Sequence, residues 1–196
     1  MKKYILLLVA TIPAMAGFTQ SWAKQYSHVD EYNCGLALVD KDGKHGFVDK
    51  NGKVIVNLKY DEALAFTECI AAVKLNGKWG FVDSTGKEIV APRYDEAFSF
   101  SEGFAVVAKG TNYGYIDRSG SVVIPLTFSN AHSFSEGLAA VSNQRNKWGF
   151  INKDGKDVIG FKYVFANSFA EGIAKVMKED KWITIDKNDK AVTEEK

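Results

Sequence analysis

The stretch Lys78-Trp79-Gly80-Phe81-Val82-Asp83 decides the fold, because copies of it recur along the whole chain of 196 residues. Four further copies lie at 45–49, 113–117, 148–152 and, in a degenerate form, 182–186. The Gly80 position recurs at Gly46, Gly114, Gly149 and Ile183, spaced 34, 34, 35 and 34 residues apart in chain order. A fixed period of this length indicates a protein built from stacked structural repeats.

Two further blocks keep the same register. Phe100-Ser101-Glu102-Gly103 recurs at 66–69, 134–137 and 169–172, and Tyr94-Asp95-Glu96-Ala97 recurs at 60–63, 128–131 and 163–166. Projected backwards, the register is already present near Gln25. We therefore predict one repeat domain over 24–196, with units at about 24–58, 59–92, 93–126, 127–161 and 162–196.

Strands explain the unit better than helices. Tetratricopeptide helix pairs share the period of 34 residues, but glycines at turn positions of each unit would weaken helices of that length. Phe104, Val106 and Ala108 alternate with other apolar residues, which is typical of a strand buried on both faces. Asp83-Ser84-Thr85-Gly86 predicts a hairpin, because Asp closes the turn and Gly supplies a positive φ.

Each unit is thus predicted to be a three-stranded antiparallel meander. The connection between units leaves room for one helical turn near 94–97, with Phe98 and Phe100 packing inward. We predict an all-β fold of five such units in an open, solenoid-like array. A closed or partial propeller is the alternative, and the absence of a spare strand for ring closure favours the open array.

These motifs resemble the WG (KWG) repeat family of bacterial proteins. The resemblance rests on Trp79-Gly80-Phe81-Val82-Asp83 and its copies, together with the Tyr-Asp and Phe-Ser-Glu-Gly blocks, and it covers 24–196. It implies a β-rich repeat protein that mediates interactions and has no common catalytic activity. His45 and Ile183 depart from the pattern in the first and last units, as terminal capping repeats do.

The N-terminal segment has the layout of a secretory signal peptide. Lys2 and Lys3 precede an uncharged, mostly apolar run over 4–12, which is too short to span a membrane. Cleavage sites of the small-x-small type end at Ala16 and Ala23, and the repeat register favours Ala23. We therefore predict a signal peptide over 1–23 and a periplasmic or secreted product that does not span the membrane.

No residue pattern predicts catalysis, a cofactor or a metal site. His28, His45 and His132 lie at three different repeat positions, so they cannot form a repeated ligand set. Asp49, Asp83, Asp117 and Asp186 are explained by closing turns rather than by binding calcium. The recurring glutamates Glu68, Glu102, Glu136 and Glu171 are expected to cap loop amides or to face solvent.

The cysteines and one aromatic position each admit two interpretations. Cys34 and Cys69 lie 35 residues apart, at nearly the same height on adjacent units, which suits either a disulfide or two separate reduced thiols. One aromatic repeat position is occupied by Trp79, Tyr113, Trp148 and Trp182. These rings are expected to pack between units; if exposed, they would stack on sugars or peptides.

The sequence therefore predicts a non-catalytic, exported scaffold that binds an unidentified protein or peptide. The alternative is a cell-wall glycan-binding module that uses the exposed aromatics. Solvent exposure of Trp79 and Trp148 discriminates between the two hypotheses. With 25 Lys+Arg against 24 Asp+Glu, the chain lacks the excess of positive charge that is typical of nucleic-acid binders.

Overall fold

The structure is a computed structural model that describes residues 21–192. Apart from its last three residues, the predicted signal peptide lies outside the described residues. A short 3-10 helix, Ser21–Gln25, precedes nineteen β-strands, and the described part of the chain contains no α-helix. No helix among residues 21–192 is long and apolar enough to cross a membrane.

The strands form five antiparallel sheets in chain order, which confirms the all-β prediction of five repeated antiparallel units. Sheet one contains β1 (His28–Asn33), β2 (Leu36–Lys41), β3 (Lys44–Asp49) and β4 (Val54–Tyr60). Sheet two contains β5 (Glu62–Ala63), β6 (Ile70–Leu75), β7 (Lys78–Asp83) and β8 (Glu88–Tyr94). Sheet three contains β9 (Glu96–Ala97), β10 (Phe104–Lys109), β11 (Asn112–Asp117) and β12 (Val122–Phe128).

Sheet four contains β13 (Asn130–Ala131), β14 (Leu138–Ser142), β15 (Trp148–Asn152) and β16 (Asp157–Tyr163). Sheet five has three strands, β17 (Phe165–Ala166), β18 (Ile173–Lys178) and β19 (Lys181–Asp186). The four boundaries between consecutive sheets are called the first to fourth seams below. The first seam lies between sheets one and two, and the fourth seam lies between sheets four and five.

The prediction of three strands per unit is wrong for the first four sheets, which have four. The additional strand comes from the Tyr-Asp-x-Ala block, where a helical turn was expected. Ala97 of β9 pairs with Val107, and the Phe98 amide donates to the Val106 carbonyl, so the segment extends the sheet. Phe100 is buried as expected, but Phe98 points outward with 42% of its surface exposed.

The hairpin between the last two long strands has the predicted chemistry. In sheet two, Asp83 Oδ1 accepts hydrogen bonds from the Thr85 and Lys87 amides at 2.9 and 3.0 Å. Gly86 closes the turn at φ +87°, a conformation that costs glycine little. Asp189 takes the same place in sheet five at φ +64°, which is tolerated more readily by Asp than by most side chains.

The glycine of the Trp-Gly motif is required by a β-bulge in the last strand. Pairing between β7 and β8 shifts register around Gly80, and a Cβ at this glycine would lie 2.4 Å from the Val90 carbonyl oxygen. The same close approach occurs at Gly46, Gly114 and Gly149.

The core is divided among the seams, because each seam encloses its own apolar cluster. An aromatic pair recurs in each seam, as in Phe81 of sheet two and Phe100 of sheet three, whose ring centroids are 5.4 Å apart. In sheet five the equivalent of Phe81 is Thr184, and Lys175 replaces an apolar residue that is buried in sheets two to four. Lys175 is exposed, so this part of sheet five faces solvent.

Candidate functional site

The aromatic position singled out in the sequence does not form one continuous exposed surface. Trp79 and Trp148 are only 9% and 6% exposed, because the following sheet covers each ring. Tyr113 is partly buried and its hydroxyl donates to Glu96 Oε2 at 2.8 Å. Trp182 is 52% exposed, and no further sheet follows sheet five within residues 21–192. The repeated rings therefore serve mainly to pack one unit against the next.

The recurring glutamates join consecutive units. In the third seam the Gly137 amide donates to Glu102 Oε2 at 2.9 Å, and Lys153 Nζ lies 3.2 Å from the same oxygen. The second seam repeats this arrangement with Glu68, Gly103 and Arg118, and the fourth with Glu136, Gly172 and Lys187. We call this three-residue contact the glutamate clasp. It matches the expected capping of loop amides, and it accounts for these carboxylates without catalysis.

The first seam holds a disulfide in place of the glutamate clasp. Cys34 and Cys69 are bonded, with their Cα atoms 5.3 Å apart. Cys34 stands at the glutamate position with φ +51°, close to the +49° of Glu68, and Cys69 stands at the glycine position. Ser84 replaces the cation of the clasp. All three members of the contact therefore change together in this seam.

The remaining titratable groups do not converge on a reactive centre. Among residues 21–192, no three His, Cys, Asp or Glu side chains are grouped so that they could hold a metal ion. His132 is half-buried between sheets, with its ring 4.9 Å from that of Trp148, and burial lowers its pKa. Its surroundings are mainly aromatic, with Phe165 5.9 Å away on the other side.

A surface cleft opens in the third seam, where the repeat loses its period. The hairpin between β14 and β15 carries one residue more than the others, which accounts for the spacing of 35 residues in this unit. Asn143 Oδ1 accepts from the Arg145 and Lys147 amides at 2.9 and 3.1 Å and so rigidifies the longer turn. Gln144 anchors the turn on sheet three by donating to the Thr127 carbonyl at 2.9 Å.

The cleft has a cavity volume of about 370 Å³. Its lining residues are Thr127, Phe128, Asn143, Gln144, Arg145 and Phe161. The rings of Phe128 and Phe161 stack at an interplanar angle of 27°, with centroids 6.3 Å apart. The arrangement combines an apolar aromatic wall with an exposed cation, Arg145.

In the first and second seams, an ion pair connects the two sheets at this end of the strands. Among the described residues, the third seam has no such ion pair beside the cleft. Lys44 pairs with Asp61 at 2.6 Å in the first seam, and Lys78 pairs with Asp95 in the second. Asn112 and Ser129 stand at these two positions in the third seam. The cleft is therefore lined and flanked by residues that break the repeat. The repeated fold does not require these residues.

Sequence reasoning did not find this cleft, although two signals were available. The interval of 35 residues between Gly114 and Gly149 marks the longer turn. Phe161 gives a second signal, because the equivalent positions hold Leu58, Pro92 and Leu126. Only the structure shows that these departures lie together, since residues of sheets three and four line the cleft.

The five antiparallel sheets, which pack on one another through the apolar clusters of the four seams, define an all-β repeat protein. Comparison with protein families finds the WG containing repeat at residues 46–79, 79–111, 113–148 and 148–182, and the chain therefore belongs to the WG repeat family. No curated protein sequence matches the chain.

Solved structures with a similar fold include two of Hsv2 from Kluyveromyces lactis. The structure with complete loop 6CD has a TM-score of 0.52 and 13% identity, and the match covers 81% of this chain and 58% of that one. A second Hsv2p structure has a TM-score of 0.51 and 12% identity, with 84% and 62% covered. The chain thus spans about three fifths of their length. These neighbours are β-propellers, in line with the alternative architecture, and none of the five sheets closes on itself.

Proposed function

We propose that this protein is an exported, non-catalytic interaction scaffold that binds a protein or peptide segment at the third-seam cleft. The observation that carries the proposal is the clustering of repeat-breaking residues around one open cavity. Residues that recur in each unit are explained by turns, bulges and seams. A site whose residues depart from the repeat needs another explanation, and exposed aromatic and arginine side chains are typical of protein recognition.

The burial of Trp79 and Trp148 weighs against the glycan-binding alternative, because neither ring is available to stack on a sugar. A repeat scaffold with propeller-like neighbours suits protein binding, since stacked units present a rigid surface. Export is supported by the charged and apolar pattern of residues 2–12 and by the exposed positions of Cys34 and Cys69, whose disulfide suits an oxidising compartment.

Site-specific photo-crosslinking tests the proposal. A photoreactive phenylalanine analogue replaces Thr127, an exposed residue that lines the cleft, and a control places it at Asp154, in the exposed turn after β15. Both variants are expressed with the native N-terminal segment in a bacterial host and irradiated in intact cells. We expect a discrete protein adduct in the envelope fraction or medium from position 127 and none from 154. Equal labelling from both positions would contradict the proposal.

A further inference from the structure

We propose that the third-seam cleft recognises a peptide that carries a large apolar side chain next to a carboxylate, with the carboxylate lying against Arg145. This inference rests on the proposed function and specifies the chemistry of the same site. It rests on three observations. The aromatic wall is partly exposed, the positive charge beside it is unpaired, and several neighbouring polar atoms hydrogen-bond within the protein.

Phe128 of the aromatic wall is partly exposed, although the equivalent residue is buried in the other seams. Phe128 stands where the other units have Tyr60, Tyr94 and Tyr163, and each of these tyrosines is only 2% exposed. Phe128 lacks their hydroxyl group and is partly exposed beside Phe161. Since no polar group is attached to either ring, the wall favours an apolar side chain, and aromatic rings add favourable stacked or edge-on contacts.

Positive charge lies unpaired at the mouth of the cleft. Within residues 21–192, the exposed Arg145 forms no ion pair. A ligand carboxylate would supply the missing negative charge, and an arginine can bind it through two parallel hydrogen bonds.

Several polar atoms beside Arg145 already hydrogen-bond within the turn or to sheet three. Gln144 Nε2 donates to Asn112 Oδ1 at 3.3 Å as well as to the Thr127 carbonyl. Asn143 Oδ1 accepts two amides of its own turn. A sugar presents several hydroxyl groups that all need partners, whereas an apolar side chain with one carboxylate needs only the wall and the guanidinium. The volume of about 370 Å³ also falls within the usual range for small-ligand sites.

Titration with short capped peptides, followed by two-dimensional NMR on the full chain, tests the assignment. The probe is acetyl-Phe-Asp-amide, with acetyl-Phe-Asn-amide and acetyl-Ala-Asp-amide as comparators. We expect the first peptide to shift resonances of residues 143–146 and to bind about three- to tenfold more tightly than either comparator, a ratio expected for one exposed charge-assisted contact. Arg145→Gln should remove the preference for Asp over Asn.

Two variants separate this chemistry from general effects. Lys50→Gln removes the same charge from a distant exposed turn and should leave binding unchanged. Phe161→Leu installs the residue found at Leu58 and Leu126; it should weaken binding of both Phe peptides while keeping the preference for Asp. The proposal is overturned if the peptides do not shift residues 143–146, if Arg145→Gln keeps the preference, or if chitotetraose binds the cleft more tightly than acetyl-Phe-Asp-amide.

The crosslinking experiment keeps the two claims distinguishable. If position 127 captures a protein but the Phe-Asp peptide does not bind, the assigned ligand chemistry is wrong and the scaffold function stands. If position 127 captures no protein and the peptide does not bind, the scaffold function fails as well.

Discussion

Cys34 and Cys69 are bonded across the first seam at the same two repeat positions where Glu68 and Gly103 are hydrogen-bonded across the second. The disulfide thus replaces the glutamate clasp, which is present in the other three seams. Ser84 lies at the position that holds Arg118 in the next sheet, so the salt-bridging cation is also absent where the glutamate is absent.

Removal of the disulfide should therefore weaken the first seam. We expect Cys34→Ala with Cys69→Ala to lower the free energy of unfolding by about 2–4 kcal/mol, the usual contribution of a native disulfide. The triple variant Cys34→Glu, Cys69→Gly, Ser84→Lys installs a glutamate clasp and should recover part of this loss. Urea unfolding of the three proteins measures both effects. A triple variant no more stable than the double alanine variant would show that the two contacts are not equivalent.

The glutamate clasp itself makes a pH-dependent contribution. Burial by itself raises the pKa of Glu102, but hydrogen bonds from Lys153 and from the Gly137 amide outweigh it and hold the pKa below its ordinary value. Because the folded-state pKa is the lower one, this stability is present above the ordinary pKa of 4.5 and is lost as the pH falls through the folded-state pKa.

Glu102→Gln should accordingly lower the free energy of unfolding at pH 7 by up to about 1 kcal/mol, since both side chains of the pair are partly exposed to solvent. The difference from the unmodified chain should shrink as the pH falls from 4.5 through the lowered folded-state pKa, where the carboxylate becomes protonated. Glu171→Gln is the matched control, because Glu171 holds the same turn position in sheet five and no further sheet follows it within residues 21–192. Equal losses of stability for the two variants in thermal unfolding would show that the glutamate clasp does not stabilise the third seam.

The glycine of the Trp-Gly motif should be far less replaceable than an ordinary strand glycine. Gly80→Ala would place a methyl group 2.4 Å from the Val90 carbonyl oxygen, so the bulge must move. We expect a loss of more than about 2 kcal/mol in denaturant unfolding. Gly160→Ala provides the control, since no atom lies within 4 Å of its Cβ position and its φ is not in the left-handed region. Comparable losses at both glycines would refute the steric explanation.

Trp22 caps the open side of sheet one. Its ring covers Gly52 in the way that Ile55 of sheet one covers Gly86 of sheet two, and it packs against Tyr26 at 6.0 Å. A chain that begins at Gly17 should therefore unfold at a higher urea concentration than one that begins at Lys24. The free energy of unfolding should differ by about 1–2 kcal/mol, because Trp22 buries apolar surface only in the longer chain. Trp22→Ala in the longer chain should remove the advantage, whereas Trp182→Ala should cost less, because Trp182 is half-exposed.

Local chemistry explains which parts of the fold were predictable from the sequence. The Asp83–Gly86 turn is formed by residues adjacent in the chain, so its hydrogen bonds follow from the sequence alone. The juxtaposition of Cys34 and Cys69 followed from their repeat positions. The short strand Glu96–Ala97 was missed, because two residues carry no periodic pattern and their pairing with Val107 and Ala108 is nonlocal.

The cleft was missed for a related reason. The departures at Asn112, Ser129 and Phe161 are each unremarkable in the sequence, and the extra residue near Arg145 is a minor change in spacing. Their proximity depends on how sheet four stacks on sheet three. The exposure of Phe128 likewise depends on how much of its ring the neighbouring sheet covers. Periodicity alone does not predict this.

The account holds that residues shared by the repeats build the fold and that departures from the repeat provide the binding site. Restoring the repeat at the third seam tests this directly, by the triple variant Asn112→Lys, Ser129→Asp, Phe161→Leu. The decisive measurement is its affinity, relative to the unmodified chain, for the protein that crosslinks at position 127. We predict an affinity at least about tenfold weaker with the urea midpoint retained, the change expected from losing one well-buried contact. Unchanged affinity in the folded variant would contradict the account.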